Sequence, residues 1–261
     1  MSADEMFGSS VSYDRLMGRY TVLLSSELAD RAEVQPGQRI LDVGCGTGAL
    51  TAELVQRVGA DHVWGLDPSP AHVDACRARL RGVHVDLGAA EALPYDDAAF
   101  DATLSQLVVH FFSDADLAMQ EMRRVTRPGG IVGAVGWDVE DGMTLLREVQ
   151  AAALETDPDR DRAGSLRVRR TRREELADLF ERAGLDAASV EPIDVVGHYE
   201  GHEDLVGTLR SGVGPIGLYV AGLGADQQRR LFDAVLARLG VPDEPFDLPA
   251  RAWCALGRVP A

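Results

Sequence analysis

The chain has no lysine and no asparagine, so all 26 of its fixed positive charges are arginine. Without lysine there is no Schiff-base amine and no lysine base. Cysteine is scarce. Cys45, Cys76 and Cys254 form no C-x-x-C pair, which argues against a disulfide framework and a structural zinc and fits reduced, cytoplasmic thiols. No run approaches the ~18 apolar residues of a membrane span. The opening MSADEMFGSSVSYDR lacks the apolar core of a secretion signal. Positive charge is outnumbered as well: 26 basic against 42 acidic residues give a net charge of −16. Such a field repels polyphosphates at a distance, which disfavours a nucleic-acid partner.

What is present fills 261 residues, 46% of them hydrophobic, enough for one α/β domain with an elaborated lid. Residues 1–12 read as a mobile tail and 13–261 as a single domain. A helix is expected over 14–33. Strand and helix patterns then alternate: strands at 39–44, 62–67, 83–87, 101–106 and 131–137, and helices at 48–58, 70–80 and 114–125. That alternation predicts a parallel sheet with right-handed crossovers and helices on both faces. The second half is less regular. Helices are expected at 143–155, 172–183, 202–210 and 225–239, and a loop at 157–170. GVGPIG (212–217) reads as a glycine-rich hinge, and strands at 189–199 and 250–259 complete the set.

The strongest signal is LDVGCGTG (41–48), between a buried strand and a helix. Gly44, Gly46 and Gly48 allow a sharp turn and close approach of a ligand to backbone, and the helix behind them offers unpaired N–H groups. Asp67 ends the next strand, where a carboxylate can accept hydrogen bonds from both hydroxyls of a ribose. The competing reading, a helix N-cap for 70–80, suits Ser69 better. Glycines alone do not choose the ligand, because Gly44, Gly46 and Ala49 also satisfy the dinucleotide pattern G-x-G-x-x-A.

The ordered set LDVGCGTG, Asp67, EALPYDDAAFD, LSQ and RRVTRPGG resembles that of class I S-adenosylmethionine-dependent methyltransferases, in particular the branch of ubiquinone and menaquinone biosynthesis. The similarity covers about residues 13–137. It implies a Rossmann-like, seven-stranded, mostly parallel sheet, with the sixth strand parallel at 189–199 and the seventh antiparallel at 250–259. It also implies S-adenosyl-L-methionine as cofactor. By this resemblance Asp42 and Gly44–Gly46 hold the methionine end, Asp67 binds the ribose, and Ala90 and Glu91 lie beside the adenine. Ser105 and Gln106 sit near the sulfonium and amino groups, and Tyr13 and Arg19 close over the carboxylate. Relatives often carry Asp where this chain has Ala89, so the adenine amino group lacks that partner. The amino-methylating signature [DN]PP[YF] is absent; LSQL stands in its place.

Insertions at 138–171 and 200–249 are expected to form the helical lid and substrate pocket, with Val213, Pro215, Ile216, Leu218, Tyr219 and Val220 as lining or as a cap or homodimer contact. If a base is used, His110 and His198 are the first candidates, with Tyr199 and Asp138 behind them. The arginines at 167, 169, 170, 172 and 173 hold an anionic substrate or, more often for such runs, make a solvated face. The reading is methyl transfer to a small molecule at oxygen, carbon or nitrogen, with no metal. Its rivals are a cofactor-binding isomerase, cyclase or scaffold that does not methylate, and a nicotinamide-dependent dehydrogenase.

Overall fold

The computed structural model describes residues 10–157, 172–211 and 214–261. The chain divides into two compact units, each built from separated segments. The larger comprises residues 21–137, 171–193 and 252–261; the smaller comprises 1–20, 138–170 and 194–251.

In chain order the elements are α1 (Ser10–Arg31), β1 (Ile40–Val43), α2 (Ala49–Val58), β2 (Val63–Asp67), α3 (Pro70–Arg79), β3 (His84–Leu87), β4 (Phe100–Gln106), α4 (Ala115–Val125) and β5 (Thr126–Trp137). Then come α5 (Thr144–Thr156), α6 (Arg173–Arg182), β6 (Asp186–Tyr199), α7 (His202–Leu209), α8 (Gly214–Ala221), α9 (Ala225–Leu239) and β7 (Phe246–Arg258). The seven strands run in the order β3-β2-β1-β4-β5-β7-β6. The pairs β1–β2, β2–β3, β1–β4 and β4–β5 are parallel. β7 is antiparallel to β5, from Ile131 opposite Arg258 to Trp137 opposite Ala252.

The larger unit explains its own sequence. ILDV of β1 is buried at every position, as a strand covered on both faces must be. α4 buries Ala118, Met119, Met122 and Val125, one stripe at helical spacing, and Asp114 caps its start by accepting a hydrogen bond from Leu117 N at 3.0 Å. Leu41, Val43, Leu66, Phe100, Met122 and Phe180 belong to one continuous core cluster. Strand order reverses between β1 and β4, the switch point at which open parallel sheets bind ligands beyond the strands' carboxyl ends.

The smaller unit rests on aromatic and helical packing. Tyr20 and Tyr199 are fully buried, and their hydroxyls are 3.2 Å apart. Phe246 stacks on Tyr199 with ring centroids 5.4 Å apart. α9 packs on α5, bridged by Arg238 to Glu148 at 3.0 Å. Arg251 clamps Asp194 at 2.7 and 3.2 Å.

Several boundaries differ from the sequence reading. Residues 10–12, read as tail, already belong to α1, while 1–9 lie outside the described residues. The loop at 157–170 falls outside them from 158 on, with Arg167, Arg169 and Arg170. Residues 212–213 do too, but from Gly214 the supposed hinge is the helix α8. A proline in a first helical turn loses no intrahelical bond, so Pro215 starts this helix rather than breaking a strand. β5 begins at Thr126, not Ile131. TRPGG is drawn into the sheet with a register shift, and Gly129 N donates to the Val259 carbonyl at 2.8 Å. Among the described residues no helix is long and apolar enough to cross a membrane.

Candidate functional site

Three strand ends of the larger unit supply the candidate site: β1 runs into the Gly44–Gly48 loop, β2 ends on Asp67, and β4 ends on Ser105 and Gln106. The loop is tied to β2, since Gly44 N and Cys45 N both donate to the Leu66 carbonyl, at 2.7 and 3.0 Å. Gly44 has a φ of 76°, and a Cβ there would stand 2.6 Å from Val108 Cγ2. Both conformation and space therefore demand glycine at this corner. Gly48, also left-handed, precedes α2 without a side-chain cap.

Asp67 is buried, and its carboxylate is wired into both neighbouring segments. Oδ2 accepts from Gly46 N at 2.9 Å. Oδ1 accepts from Ser69 N at 2.9 Å and faces His72 Nδ1 at 3.2 Å. Ser69 is the N-cap of α3, accepting from His72 N at 3.3 Å, so capping falls to Ser69 as the spacing suggested.

Asp42 is fully buried, and its Oδ2 accepts from the Thr51 hydroxyl at 2.6 Å. Burial drives its carboxyl up to about 7; the Thr51 hydrogen bond opposes the shift and the nearby Asp67 charge adds to it. Gln106 reaches back to α1. Its Nε2 donates to the Thr21 carbonyl at 3.1 Å and to Ser25 Oγ at 3.0 Å, while Ser25 Oγ donates to Thr21 O at 2.7 Å. With both amide hydrogens committed, Gln106 Oε1 is fixed as an acceptor. Among the described residues Asp42 Oδ1, Ser105 Oγ and Gln106 Oε1 are buried with no protein partner. Buried polar atoms are costly unless something satisfies them. A fixed amide oxygen, a hydroxyl and a carboxyl that ionises when a cation stands beside it suit a ligand that brings positive charge and N–H donors.

The other candidates are distributed unevenly. Ala90 is buried. Glu91 turns its carboxylate to Ser113 N at 2.7 Å, Ser113 Oγ at 2.8 Å and Asp114 N at 3.2 Å, ordering the approach to α4. Partial burial raises the Glu91 carboxyl, and these hydrogen bonds more than offset it, leaving it below its ordinary value. His110 lies in a short 3-10 turn, Val109–Phe111, just past β4, with its ring tilted on Phe111 at 4.0 Å.

Arg19, His198, Tyr199 and Asp138 belong to the smaller unit. The Arg19 guanidinium pairs with Asp204 at 3.1 and 3.3 Å, bonds Thr208 Oγ1 at 3.2 Å and the His198 carbonyl, and lies 3.9 Å over the Tyr199 ring. The carboxylate it holds in this structure is the chain's own Asp204. His198 has a side chain 58% exposed and pairs with Asp247 at 2.8 Å. Tyr199 is no base: burial, then the Tyr20 hydroxyl, push its phenol far above the ordinary range. Buried Asp138 accepts from Asp141 N at 3.2 Å. The Tyr13 side chain lies outside the described residues. Sequence reasoning missed His72, Thr51, Thr21 and Ser25. Thr51 could have been found, since it stands in the first turn of the helix that follows the loop.

Residues 41–134 match the family model described as a methyltransferase domain. A malonyl-[acyl-carrier protein] O-methyltransferase of Serratia marcescens is 36% identical over 127 residues, 46% of this chain and 49% of that relative. An uncharacterised methyltransferase of Mycobacterium tuberculosis is 39% identical over 159 residues, 60% of this chain and 62% of the relative. The chain thus spans about half to three-fifths of the length of these two relatives. Among solved structures, a Haemonchus contortus phosphoethanolamine N-methyltransferase in complex with S-adenosylhomocysteine superposes with a TM-score of 0.62 at 16% identity. It covers 96% of this chain and 57% of that one, a likeness of fold.

Proposed function

We propose that this chain, whose residues 41–134 match a methyltransferase domain, binds S-adenosyl-L-methionine and transfers its methyl group to a small molecule, at oxygen, carbon or nitrogen. The observation that carries this reading is the buried acceptor set at the ends of β1 and β4, beside a glycine loop hydrogen-bonded to Asp67. Asp42 Oδ1, Gln106 Oε1 and Ser105 Oγ fit the ammonium and sulfonium end of that cofactor, and Asp67 fits its ribose. When bound, the cofactor supplies a methyl group on a sulfonium, open to in-line displacement.

The protein's share is placement and exclusion of water. The Gly44–Gly48 loop admits the ligand close to backbone. Gln106, locked by Thr21 and Ser25, presents a fixed oxygen. His110 stands in the same unit as the loop and is the base candidate where an acceptor must lose a proton.

Calorimetric titration with S-adenosylmethionine, followed by incubation with candidate acceptors, tests this. S-adenosylhomocysteine released with methylated product is the expected result. Acceptor turnover without it would replace the reading with that of a non-methylating cofactor-binding enzyme.

A further inference from the structure

His72 was not among the expected site residues, yet it touches the carboxylate at the centre of the site. A carboxylate only accepts hydrogen bonds, so the contact of His72 Nδ1 with Asp67 Oδ1 at 3.2 Å is a hydrogen bond in the imidazole tautomer that carries its proton on Nδ1. Ser69 N donates to the same oxygen, and Gly46 N donates to Oδ2. A carboxylate offers about four acceptor sites, two on each oxygen. Among the described residues three donors reach Asp67, two on Oδ1 and one on Oδ2. Oδ1 is filled; Oδ2 keeps one site.

A ribose brings two hydroxyl donors. Two of the three standing donors are backbone N–H groups, one in the glycine loop and one at the start of α3. Neither can turn away without remaking its segment. The His72 side chain is only 11% exposed, and its backbone N–H donates to Ser69 Oγ at 3.3 Å, so the imidazole is buried on a residue whose backbone is anchored at the start of α3.

We propose that His72 is a specificity-determining residue that makes Asp67 a receptor for one ribose hydroxyl, through Oδ2, by occupying the place on Oδ1 that the second would need. This rests on the reading that the site binds an S-adenosyl group. Removing the imidazole frees Oδ1, and Asp67 then takes both hydroxyls.

The test is calorimetry with S-adenosylhomocysteine and its 2′-deoxy and 3′-deoxy counterparts, on wild type, His72→Leu, His72→Met and His72→Asn, with thermal melting to confirm folding. In wild type one deoxy compound is expected to bind roughly tenfold or more weaker, the loss of one charged hydrogen bond, and the other within about twofold of the parent. In His72→Leu and His72→Met both deoxy compounds lose affinity. His72→Asn, which restores a side-chain N–H close to the ring position, returns the one-hydroxyl pattern. Equal losses for both compounds in wild type overturn the proposal, as does an unchanged one-hydroxyl pattern in a folded apolar variant. Failure of wild type to bind S-adenosylhomocysteine at all overturns the function proposed above, and this inference with it.

Discussion

At the scale of single residues, Asp42 and Asp67 divide the work by environment. Asp67 accepts three hydrogen bonds and serves as a fixed acceptor. Its replacement, Asp67→Ala, should weaken S-adenosylmethionine binding by about 1.5–3 kcal/mol, the worth of a hydrogen bond to a charged group. Calorimetry that finds unaltered affinity would refute the ribose assignment. Asp42 instead is buried with one oxygen unsatisfied, and its carboxyl is pushed up to about 7. Unfolded, it titrates near the ordinary aspartate value of about 3.9. Between those two pH values the folded chain holds a proton that the unfolded chain has lost. Its contribution to stability is therefore fullest below about pH 4, falls as pH rises through about 7, and is flat above. Asp42→Asn cannot ionise. Its melting temperature relative to wild type should climb from pH 4 to pH 8, and parallel curves in thermal melts would count against this. A cation bound beside Asp42 favours the charged carboxylate. Cofactor affinity should accordingly rise with pH through about 7 in wild type, with proton release measurable in buffers of different ionisation enthalpy, and neither effect should survive in Asp42→Asn.

At the scale of elements, the glycine loop is the most exacting piece. Gly44→Ala must adopt a left-handed conformation, at about 1–2 kcal/mol, and must also push its methyl into Val108, 2.6 Å away, an overpacking worth about 1–3 kcal/mol. Gly46 has a φ of 54°, but a methyl placed there would meet nothing within 4 Å, so Gly46→Ala carries the conformational cost alone. Gly44→Ala should lower the melting temperature clearly more than Gly46→Ala; equal effects would remove the close approach from the explanation. The same loop shows what was legible in the sequence. β1 and β2 were readable because short, mostly apolar runs alternate with helical patterns, β4 because its place in that alternation follows a turn-rich stretch, and LDVGCGTG marked the loop between β1 and α2. α8 was not, because GVGPIG offers glycines where a helix usually has good formers and its proline marks a start only in hindsight. β5 was read too short because TRPGG looks like a turn, whereas pairing to β4 and the Gly129–Val259 bond hold it in the sheet. The site was legible where it lies on strand ends, as at Asp42, Asp67 and Gln106. It was illegible where a partner comes from across a corner or from far along the chain: His72 on Asp67, Ser25 on Gln106, and Asp204 on Arg19. No local pattern encodes those meetings.

At the scale of the whole molecule, the excess of 42 acidic over 26 basic residues sets how stability answers to salt. Two opposed effects are at stake. Ion pairs such as Arg57–Asp30, Arg124–Asp97 and Arg251–Asp194 are local attractions that salt weakens. Each has a partner with at least 64% of its side chain exposed, and pairs of that kind contribute only about 0–1 kcal/mol. The net charge of −16 is a repulsion summed over the whole surface, present in the compact state and relieved when the chain expands. Raising the ionic strength from about 0.01 M to about 0.15 M shortens the screening length from about 30 to about 8 Å. Repulsion between like charges tens of ångströms apart is removed by that change. An ion pair in contact keeps most of its attraction, because its charges lie well inside even the shorter length. The repulsive term therefore loses more, and the melting temperature should rise over this interval, with sodium chloride and potassium chloride acting alike. A fall would mean that the paired arginines outweigh the acidic surplus. The same surplus predicts no measurable binding to labelled duplex DNA or transfer RNA at about 0.15 M salt, read by fluorescence anisotropy. Binding that weakens steeply with salt, the mark of phosphate contacts, would reveal a basic surface that the net charge conceals and would reopen the nucleic-acid substrates set aside above.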